Sequence, residues 1–409
     1  MEAGTEIYLD NNATTRVAPE VFEAMRPFLT EFYGNPSSIH RFGSQVSEKI
    51  SAARSEVAAL IGAADPVEII FTSCGTEGDN AAIRGMLESR PDKRHIVTTA
   101  VEHPAVQGLC QHLEKKGYCV TWLTVDSEGL LDLDELSDAL SEDTAVVSVM
   151  LANNETGVIF PVDRIGEIVK AKGIPFHVDA VQAAGKIPLN IKAAPIDLLT
   201  ISGHKFHGPK GVGALYVRRG ITFPPFMIGG HQERNRRAGT ENVASIIGMG
   251  KAAEMALEHL SQDSGRIRAL RDRLEATIGD SCPGARVNGA RDQRLPNTSN
   301  VSFQYLEGES ILVLLDQYGI CASTGSACTA GSSEPSHVLR AMKVPAEWLQ
   351  GAVRFSLSRL NTEKEIDYVN ERLPLIVQRL RGLSALGKLA GRDQAQPDRR
   401  RVNSTGVRG

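Results

Sequence analysis

Residues 144–185 read TAVVSVMLANNETGVIFPVDRIGEIVKAKGIPFHVDAVQAAG and contain two apolar, β-rich runs on either side of a helical pattern. The runs cover 144–151 and 174–179, and the segment between them has helical spacing over 162–172. Two buried strands joined through a helix are typical of a crossover connection, which places the strands parallel in one sheet. The stretch therefore predicts an α/β fold built around this unit.

The same alternation extends in both directions along the chain. Further β-rich runs occupy 67–72, 95–100, 118–125, 196–202 and 213–218, with helical segments at 77–88 and 104–116. Seven such runs predict a large, mainly parallel sheet with helices on both faces. The last two runs follow each other closely, which favours one antiparallel strand at the edge of the sheet.

A second, smaller α/β unit is predicted after this sheet. Two helical stretches, 244–260 and 266–278, predict helices that connect the two units. Strands at 299–305 and 353–358 follow, with helices at 308–317 and 363–381. Residues 387–409 are polar and Arg-rich and hold few large apolar side chains, so we expect a disordered tail.

Composition excludes several classes of protein. The 409 residues carry 45 Lys and Arg and 49 Asp and Glu, a net charge of −4, which argues against a dedicated nucleic-acid-binding protein. No run of 18 apolar residues occurs, and the N-terminus lacks a signal-peptide pattern, so we expect no membrane span. We therefore expect the protein to stay in the cytoplasm, a reducing compartment in which its six cysteines, none of them in a C-x-x-C pair, form no disulfide framework.

Polar groups follow four of the predicted strands, where parallel strands present a common ligand-binding edge. Lys205 could bond a carbonyl cofactor through its amine, and Asp179 could hold a pyridinium nitrogen protonated. Gly75 and Thr76 open a helix whose free N–H groups suit a phosphate, and the His103 imidazole could stack on a flat ring. Each group also has a structural interpretation: a surface lysine, two helix caps and a structural histidine. Together they match what pyridoxal phosphate requires.

Other cofactors are disfavoured by missing motifs. No G-x-G-x-x-G opens a helix after the first strand, and no G-x-x-x-x-G-K-[ST] occurs, so nicotinamide and P-loop sites are not expected. His204 and His207 lack the H-E-x-x-H context of a zinc site, and we predict no metal.

With these motifs, the sequence resembles group I cysteine desulfurases of the NifS/IscS type, within the class V aminotransferase superfamily and pyridoxal-phosphate fold type I. The matching stretches span residues 7 to about 382 and are YLDNNATT (8–15), FYGNPSSIHRFG (32–43, apart from Tyr33), FTSCGTE (71–77), EHPAV (102–106), ANNETG (152–157), HVDAVQAAGK (177–186), SGHKFHGPKGVG (202–213), RRAGTEN (236–242), STGSACTAGSSEPSHVLRAM (323–342) and RFSLSR (354–359). The resemblance implies a large cofactor-binding domain over 16–260 and a small domain formed by 1–15 and 261–386.

The resemblance also implies a role for each site residue. Lys205 would bond pyridoxal phosphate, Asp179 would face the ring nitrogen, Gln182 the phenolic oxygen, and His103 would stack on the ring as a catalytic group. The phosphate would be held by Gly75, Thr76, Ser202 and His204, with Thr240 of a partner subunit in a homodimer that shares its active sites. Asn154 would face cofactor or substrate, and Arg354 would bind the substrate carboxylate.

Cys328 distinguishes this family from aminotransferases. It lies in STGSACTAGSS (323–333), whose small residues predict a mobile loop. The resemblance implies that its thiol takes sulfur from L-cysteine as a persulfide, releases L-alanine and passes the sulfur to an iron–sulfur scaffold or acceptor protein. RRAGTEN and EHPAV favour the NifS branch, associated with nitrogen fixation.

Burial in apolar runs is expected for Cys74, Cys110, Cys119 and Cys321. The rival functions are an aminotransferase or selenocysteine lyase on the same fold, and a catalytically silent scaffold.

Overall fold

The structure is a computed structural model that describes residues 6–325 and 335–383. Strand β1 (Ile7–Tyr8) comes first and lies outside the main sheet. The seven strands of that sheet are β2 (Ile69–Thr72), β3 (His95–Thr99), β4 (Cys119–Leu123), β5 (Thr144–Met150), β6 (Phe176–Asp179), β7 (Leu198–Ser202) and β8 (Gly213–Val217). Their order is β2-β8-β7-β6-β5-β3-β4. All seven β-rich runs are strands, and the prediction of a mainly parallel seven-stranded sheet is confirmed.

The position of the antiparallel strand differs from the prediction. Strand β8 pairs antiparallel with both β7 and β2 and therefore lies inside the sheet, next to its edge. The short connection after β7 does bring β8 back beside it, as expected. The free side of β8 is then taken by β2, whose four residues are all buried. The prediction of an antiparallel edge strand is wrong because this pairing joins segments far apart in the chain.

Helices cover both faces of the sheet. Those before β8 are α1 (Pro19–Met25), α2 (Pro27–Thr30), α3 (Arg41–Ile61), α4 (Gly75–Ser89), α5 (Pro104–Glu114), α6 (Leu133–Ala139) and α7 (Val162–Ala171). Successive residues of a strand face opposite sides. Val146 of β5 accordingly packs in one core with Ile83 of α4, whereas Val147 packs in the other with Val57 of α3 and Ile165 of α7.

A single long helix follows the sheet. After the short turn α8 (Gln232–Asn235), helix α9 runs without interruption over 39 residues, Val243–Ser281. The prediction of two separate helices is wrong: the polar stretch 261–265 lacks proline, and each half of the helix is anchored by its own core. Met249 packs in the core of the large sheet, and Leu274 packs in that of the second unit.

The second unit contains a three-stranded antiparallel sheet. The elements that follow α9 in the chain are β9 (Ala285–Val287), β10 (Thr298–Phe303), α10 (Gly308–Asp316), β11 (Ile320–Cys321), α11 (His337–Ala341), α12 (Ala346–Leu349), β12 (Ala352–Ser356) and α13 (Glu363–Leu383). The sheet order is β12-β10-β9, and β1 pairs parallel with β11. The proposed domain boundaries stay a prediction, and the predicted tail at 387–409 lies outside the described residues. Within the described ranges, no helix is long and apolar enough to cross a membrane.

The described cysteines follow the predictions only in part. Cys110 is fully buried, and Cys74 and Cys321 are half-buried. Cys119 is exposed. The expectation of burial is wrong there because Cys119 begins β4, which forms the open edge of the large sheet.

Candidate active site

A cavity of about 210 Å³ lies where the large sheet meets the N-terminal segment. The turns that follow β2, β3, β6 and β7 all reach it, as expected for the carboxyl ends of parallel strands. Nine of the predicted site residues line it: Gly75, Thr76, His103, Asn154, Asp179, Gln182, Ser202, His204 and Lys205. The structure therefore brings into one place groups that are more than 100 residues apart in sequence.

Lys205 ends a short 3₁₀ turn, Gly203–Lys205, directly after β7. Its Nζ donates to the backbone carbonyl oxygens of Asn12 at 2.7 Å and Ala13 at 2.8 Å. The N-terminal segment thus forms one wall of the site. Sequence reasoning assigned no role to Asn12 or Ala13, because a backbone carbonyl has no residue-type signature.

Asp179 ends β6 and is 6% exposed. One of its oxygens, Oδ1, accepts a hydrogen bond from the backbone N–H of Val181 at 2.9 Å. Burial raises the pKa of Asp179 to about 6, although the Val181 bond and the nearby charge of Lys205 act in the opposite direction. A buried carboxylate at this position suits a cationic ring nitrogen.

A second acid, Asp79, also lines the cavity and was missed by the sequence analysis. It is 1% exposed, and its Oδ1 lies 3.6 Å from the Nε2 atom of His177. Burial, followed by the charge of Asp179, raises the pKa of Asp79 well above its ordinary value. The position of Asp79, three residues after Thr76 on α4, was the available signal.

The start of α4 and Ser202 form a cradle for an anion in this cavity. Helix α4 begins at Gly75, and its N-cap residue Cys74 makes no side-chain cap bond, so the first N–H groups point outward. The Oγ atom of Ser202 is buried and has no hydrogen-bond partner in the part of the chain that the structure describes. A Cβ on Gly75 would lie 2.9 Å from Val181 Cγ2, so a glycine lets the backbone approach. Free N–H groups and a spare hydroxyl suit a phosphate.

The two histidines of the cavity are neutral at pH 7. His103 caps α5, and its Nδ1 accepts from the Ala105 N–H at 3.2 Å, so its ring proton belongs on Nε2. Burial, followed by the charges of Lys205 and His337, lowers the pKa of His103 to about 4. Burial and the charge of Lys205 likewise lower the pKa of His204 to about 4.

Arg354 of β12 does not line the cavity. Its side chain is 2% exposed, and its Nη2 donates to Asp10 Oδ1 at 2.6 Å. Its Nη1 donates to the carbonyl oxygens of Asn154 at 3.0 Å and Gly325 at 3.2 Å. The guanidinium thus lies directly behind Asn154 and is already paired with Asp10.

Thr240 lies outside this cavity. Thr240 is exposed and lines a separate pocket of about 160 Å³, beside Ser73. An ion pair of 2.8 Å between Arg237 and Glu77 ties its segment to α4. Burial raises the pKa of Glu77, but hydrogen bonds from Arg237 and Ser73 lower it, and the pKa lies below its ordinary value. Cys328 lies outside the described residues.

Pyridoxal phosphate fits this arrangement, because the Ser202 hydroxyl and the start of α4 line the same cavity as Asp179 and Lys205. The fold and this set of groups define a pyridoxal-phosphate enzyme. The chain belongs to the aminotransferase class-V family, which it matches over residues 7–369.

Within that family, the chain is similar to proteins named cysteine desulfurase. It is 62% identical over 378 residues to one from a Nostoc species, covering 92% of this chain and 94% of the relative. It is 55% identical over 379 residues to the cysteine desulfurase NifS of Azotobacter vinelandii, covering 93% and 94%. A solved structure of a NifS-like protein superimposes with a TM-score of 0.87 at 42% identity, covering 92% of this chain and all of that one.

Proposed function

We propose that this protein is a pyridoxal-phosphate-dependent cysteine desulfurase that converts L-cysteine to L-alanine and takes the sulfur as a persulfide on Cys328. One observation carries the proposal: Lys205, Asp179 and the anion cradle meet in one cavity of a chain that is 62% identical to a protein named cysteine desulfurase. The lysine and the cysteine that the chemistry needs are both present in the sequence, which argues against a silent scaffold.

Each part of the cofactor is assigned to a group of residues that line the cavity. Lys205 would bond its carbonyl carbon, and His103 would stack on its ring. Its phosphate would lie against Gly75, Thr76, Ser202 and His204 at the start of α4. When bound, the cofactor supplies an electron sink for a bond broken at the substrate Cα.

The residues around the cofactor handle the protons. Asp179 would keep a proton on the ring nitrogen, and Gln182 would donate from its amide to the phenolic oxygen. Lys205 takes the Cα proton of the substrate and returns it. His103, with its proton on Nε2, donates the proton that completes the methyl group of alanine.

The sulfur step belongs to Cys328. Its thiolate attacks the sulfur of the substrate, so that an S–S bond forms as the C–S bond breaks and the electron pair stays on carbon. The products are one persulfide and one L-alanine. This role rests on the STGSACTAGSS motif and the resemblance it carries.

Substrate binding is assigned to Asn154 and Arg354. A guanidinium can fork onto a carboxylate through two parallel N–H groups. Because Nη2 of Arg354 donates to Asp10 in this structure, the substrate carboxylate would displace that bond. In this proposal the carboxylate of Asp10 occupies the place on Arg354 that the substrate carboxylate would take.

The sulfur is proposed to pass to an iron–sulfur scaffold or another acceptor protein. Similarity to the desulfurase named NifS favours supply of nitrogenase clusters. We place the enzyme in the cytoplasm, because a thiol that must stay reduced between turnovers needs a reducing compartment.

A homodimer with shared sites completes the proposal. Thr240 lies outside the cavity of its own chain, which suits a residue that reaches the phosphate of a partner. Large apolar side chains are exposed in two separate stretches of sequence, among them Leu29 (62%), Tyr33 (74%) and Ile39 (102%) in the first and Ile228 (88%) in the second. Exposed apolar side chains of this size favour an interface.

The proposal predicts what L-cysteine does to the purified protein loaded with pyridoxal phosphate. Alanine should appear, and mass spectrometry should map a persulfide to Cys328. Cys328→Ala should keep the cofactor's absorbance but form no persulfide, because the sulfur acceptor is gone. Lys205→Ala should lose turnover by at least ~10²-fold, since the proton-transfer group is removed.

The exposed Cys119 provides the matched control, and Cys119→Ala should behave as wild type. Alanine production at the wild-type rate by Cys328→Ala would contradict the sulfur-transfer step. A requirement for a keto acid would instead identify an aminotransferase, and a clear preference for selenocysteine would identify a selenocysteine lyase.

A further inference from the structure

Lys186 closes the HVDAVQAAGK stretch and has no part in the proposed chemistry. Its Nζ donates to Gln182 Oε1 at 2.8 Å and to Asn12 Oδ1 at 3.0 Å. Lys186 lines a different cavity, behind Lys205, and not the one assigned to the cofactor. Its contacts with the active site therefore run through Gln182 and Asn12.

The bond from Lys186 fixes which way the Gln182 amide faces. The amide oxygen of Gln182 accepts the hydrogen bond from Lys186 and therefore lies toward it. The amide nitrogen, Nε2, then donates to the backbone carbonyl of Asn12 at 3.0 Å, which can only accept. Turning the amide over would break both bonds. The second N–H of the amide is the one that Gln182 can offer to a ligand in the cavity.

Asn12 joins this pair to the lysine of the active site. Its carbonyl oxygen accepts from Gln182 Nε2 and also from Lys205 Nζ, and its Oδ1 accepts from Lys186 and from Asn297 Nδ2 at 3.0 Å. Its own Nδ2 donates to Thr298 Oγ1 at 2.9 Å. Lys186 thus holds in place the residue against which Lys205 rests.

In either protonation state the Lys186 amine has the two N–H groups that its two hydrogen bonds need. Lys186 is half-buried. Burial, followed by the charges of Lys205 and Arg354, lowers the pKa of Lys186 well below its usual range. A neutral amine has two N–H groups, which match the two bonds that Lys186 makes here.

We propose that Lys186 is a positioning residue that holds the Gln182 amide with its N–H directed at the phenolic oxygen of bound pyridoxal phosphate. The inference rests on the proposed function, because it assumes that the cavity binds this cofactor.

The test measures the pH at which the visible absorption band of the bound cofactor shifts. A hydrogen bond to the phenolic oxygen favours its anionic form, so weakening the bond lets the cofactor keep its proton to higher pH. Lys186→Met keeps the length of the side chain but not the donor. We expect its midpoint to rise by up to about one pH unit, in the same direction as that of Gln182→Ala.

A double variant separates positioning from a general effect of charge or stability. If Lys186 acts through Gln182, then Lys186→Met combined with Gln182→Ala should shift the midpoint no further than Gln182→Ala alone. Lys192→Met removes an exposed lysine of the same region and should leave the midpoint unchanged. If Lys186→Met does not fold, Lys186→Gln takes its place, with a smaller shift expected because the amide keeps a donor.

Three results would overturn the inference: an unchanged midpoint in Lys186→Met, shifts that add in the double variant, or a Gln182→Ala variant without any shift. Failure of the proposed function is a separate result, since the wild-type protein would then bind no pyridoxal phosphate and show no visible band.

Discussion

Glu102, immediately before His103, is a fully buried carboxyl group. Its Oε1 accepts from Thr99 Oγ1 at 2.8 Å and from the Met150 N–H at 3.0 Å. Its Oε2 has no hydrogen-bond partner among residues 6–325 and 335–383. Burial raises the pKa of Glu102 to about 8, against the two hydrogen bonds that lower it. The group is therefore neutral in the folded protein at pH 7.

This burial predicts a pH-dependent cost in stability. Between the ordinary glutamate pKa of 4.5 and about 8, the folded state holds a proton that the unfolded state releases. The free energy of unfolding therefore falls as pH rises through that window, by at most about 1.4 kcal/mol per pH unit. Glu102→Gln is neutral throughout, so its stability relative to wild type should increase from pH 5 to pH 8. Urea unfolding curves across this range measure the difference.

Comparing wild type with Glu102→Gln at each pH isolates the titration of Glu102 from that of the other buried acids. Curves that run parallel from pH 5 to pH 8 would mean that Glu102 is already ionised in the folded protein.

At the scale of the element, helix α9 explains how the two units of the chain are joined. Gly265 lies in its middle, where a Cβ would meet no heavy atom within 4 Å. Gly250 lies in its first half, where a Cβ would come within 2.6 Å of both Cα and Cβ of Ala53 on α3. The same residue type thus has opposite roles at two positions of one helix.

These two glycines predict opposite effects of alanine. Gly265→Ala should stabilise the protein by about 0.5–1 kcal/mol, because alanine favours a helix interior more than glycine does. Gly250→Ala should destabilise it by about 1–3 kcal/mol, because α3 and α9 must move apart. Urea midpoints at constant slope provide the measurement. A loss of stability in Gly265→Ala would indicate that the helix is broken at 261–265, as the sequence suggested.

At the scale of the whole molecule, the exposed apolar side chains predict a dimer whose integrity supports cofactor binding. Light scattering should find two chains per particle. Ile39→Asp combined with Ile228→Asp should shift the protein toward monomer, because two charges would be buried without partners. The affinity for the cofactor should fall as the dimer dissociates, since the site would lose the partner's Thr240, which is proposed to bind the phosphate.

Leu375 on α13 is 55% exposed and supplies the control. Leu375→Asp should leave the particle mass and cofactor affinity unchanged. A wild-type protein that is monomeric at micromolar concentration, with full cofactor affinity, would contradict the shared site.

The strands of the large sheet and the groups at their ends could be predicted from the sequence alone. Apolar runs of strand length, interrupted by helical spacing, indicate β2–β8 because these patterns are local. Lys205, Asp179, Thr76 and His103 could be proposed for the same reason: each lies at the end of a strand or within four residues after it, and parallel strands end at one edge.

Tertiary structure alone decided how distant segments meet. Strand β2 covers the open side of β8, α9 stays unbroken because both ends are anchored, and Arg354 pairs with Asp10. Asn12 presents its carbonyl oxygen to Lys205 and its Oδ1 to Lys186. None of these contacts has a local signature, because they depend on backbone atoms common to all residues or on side chains brought together only by packing.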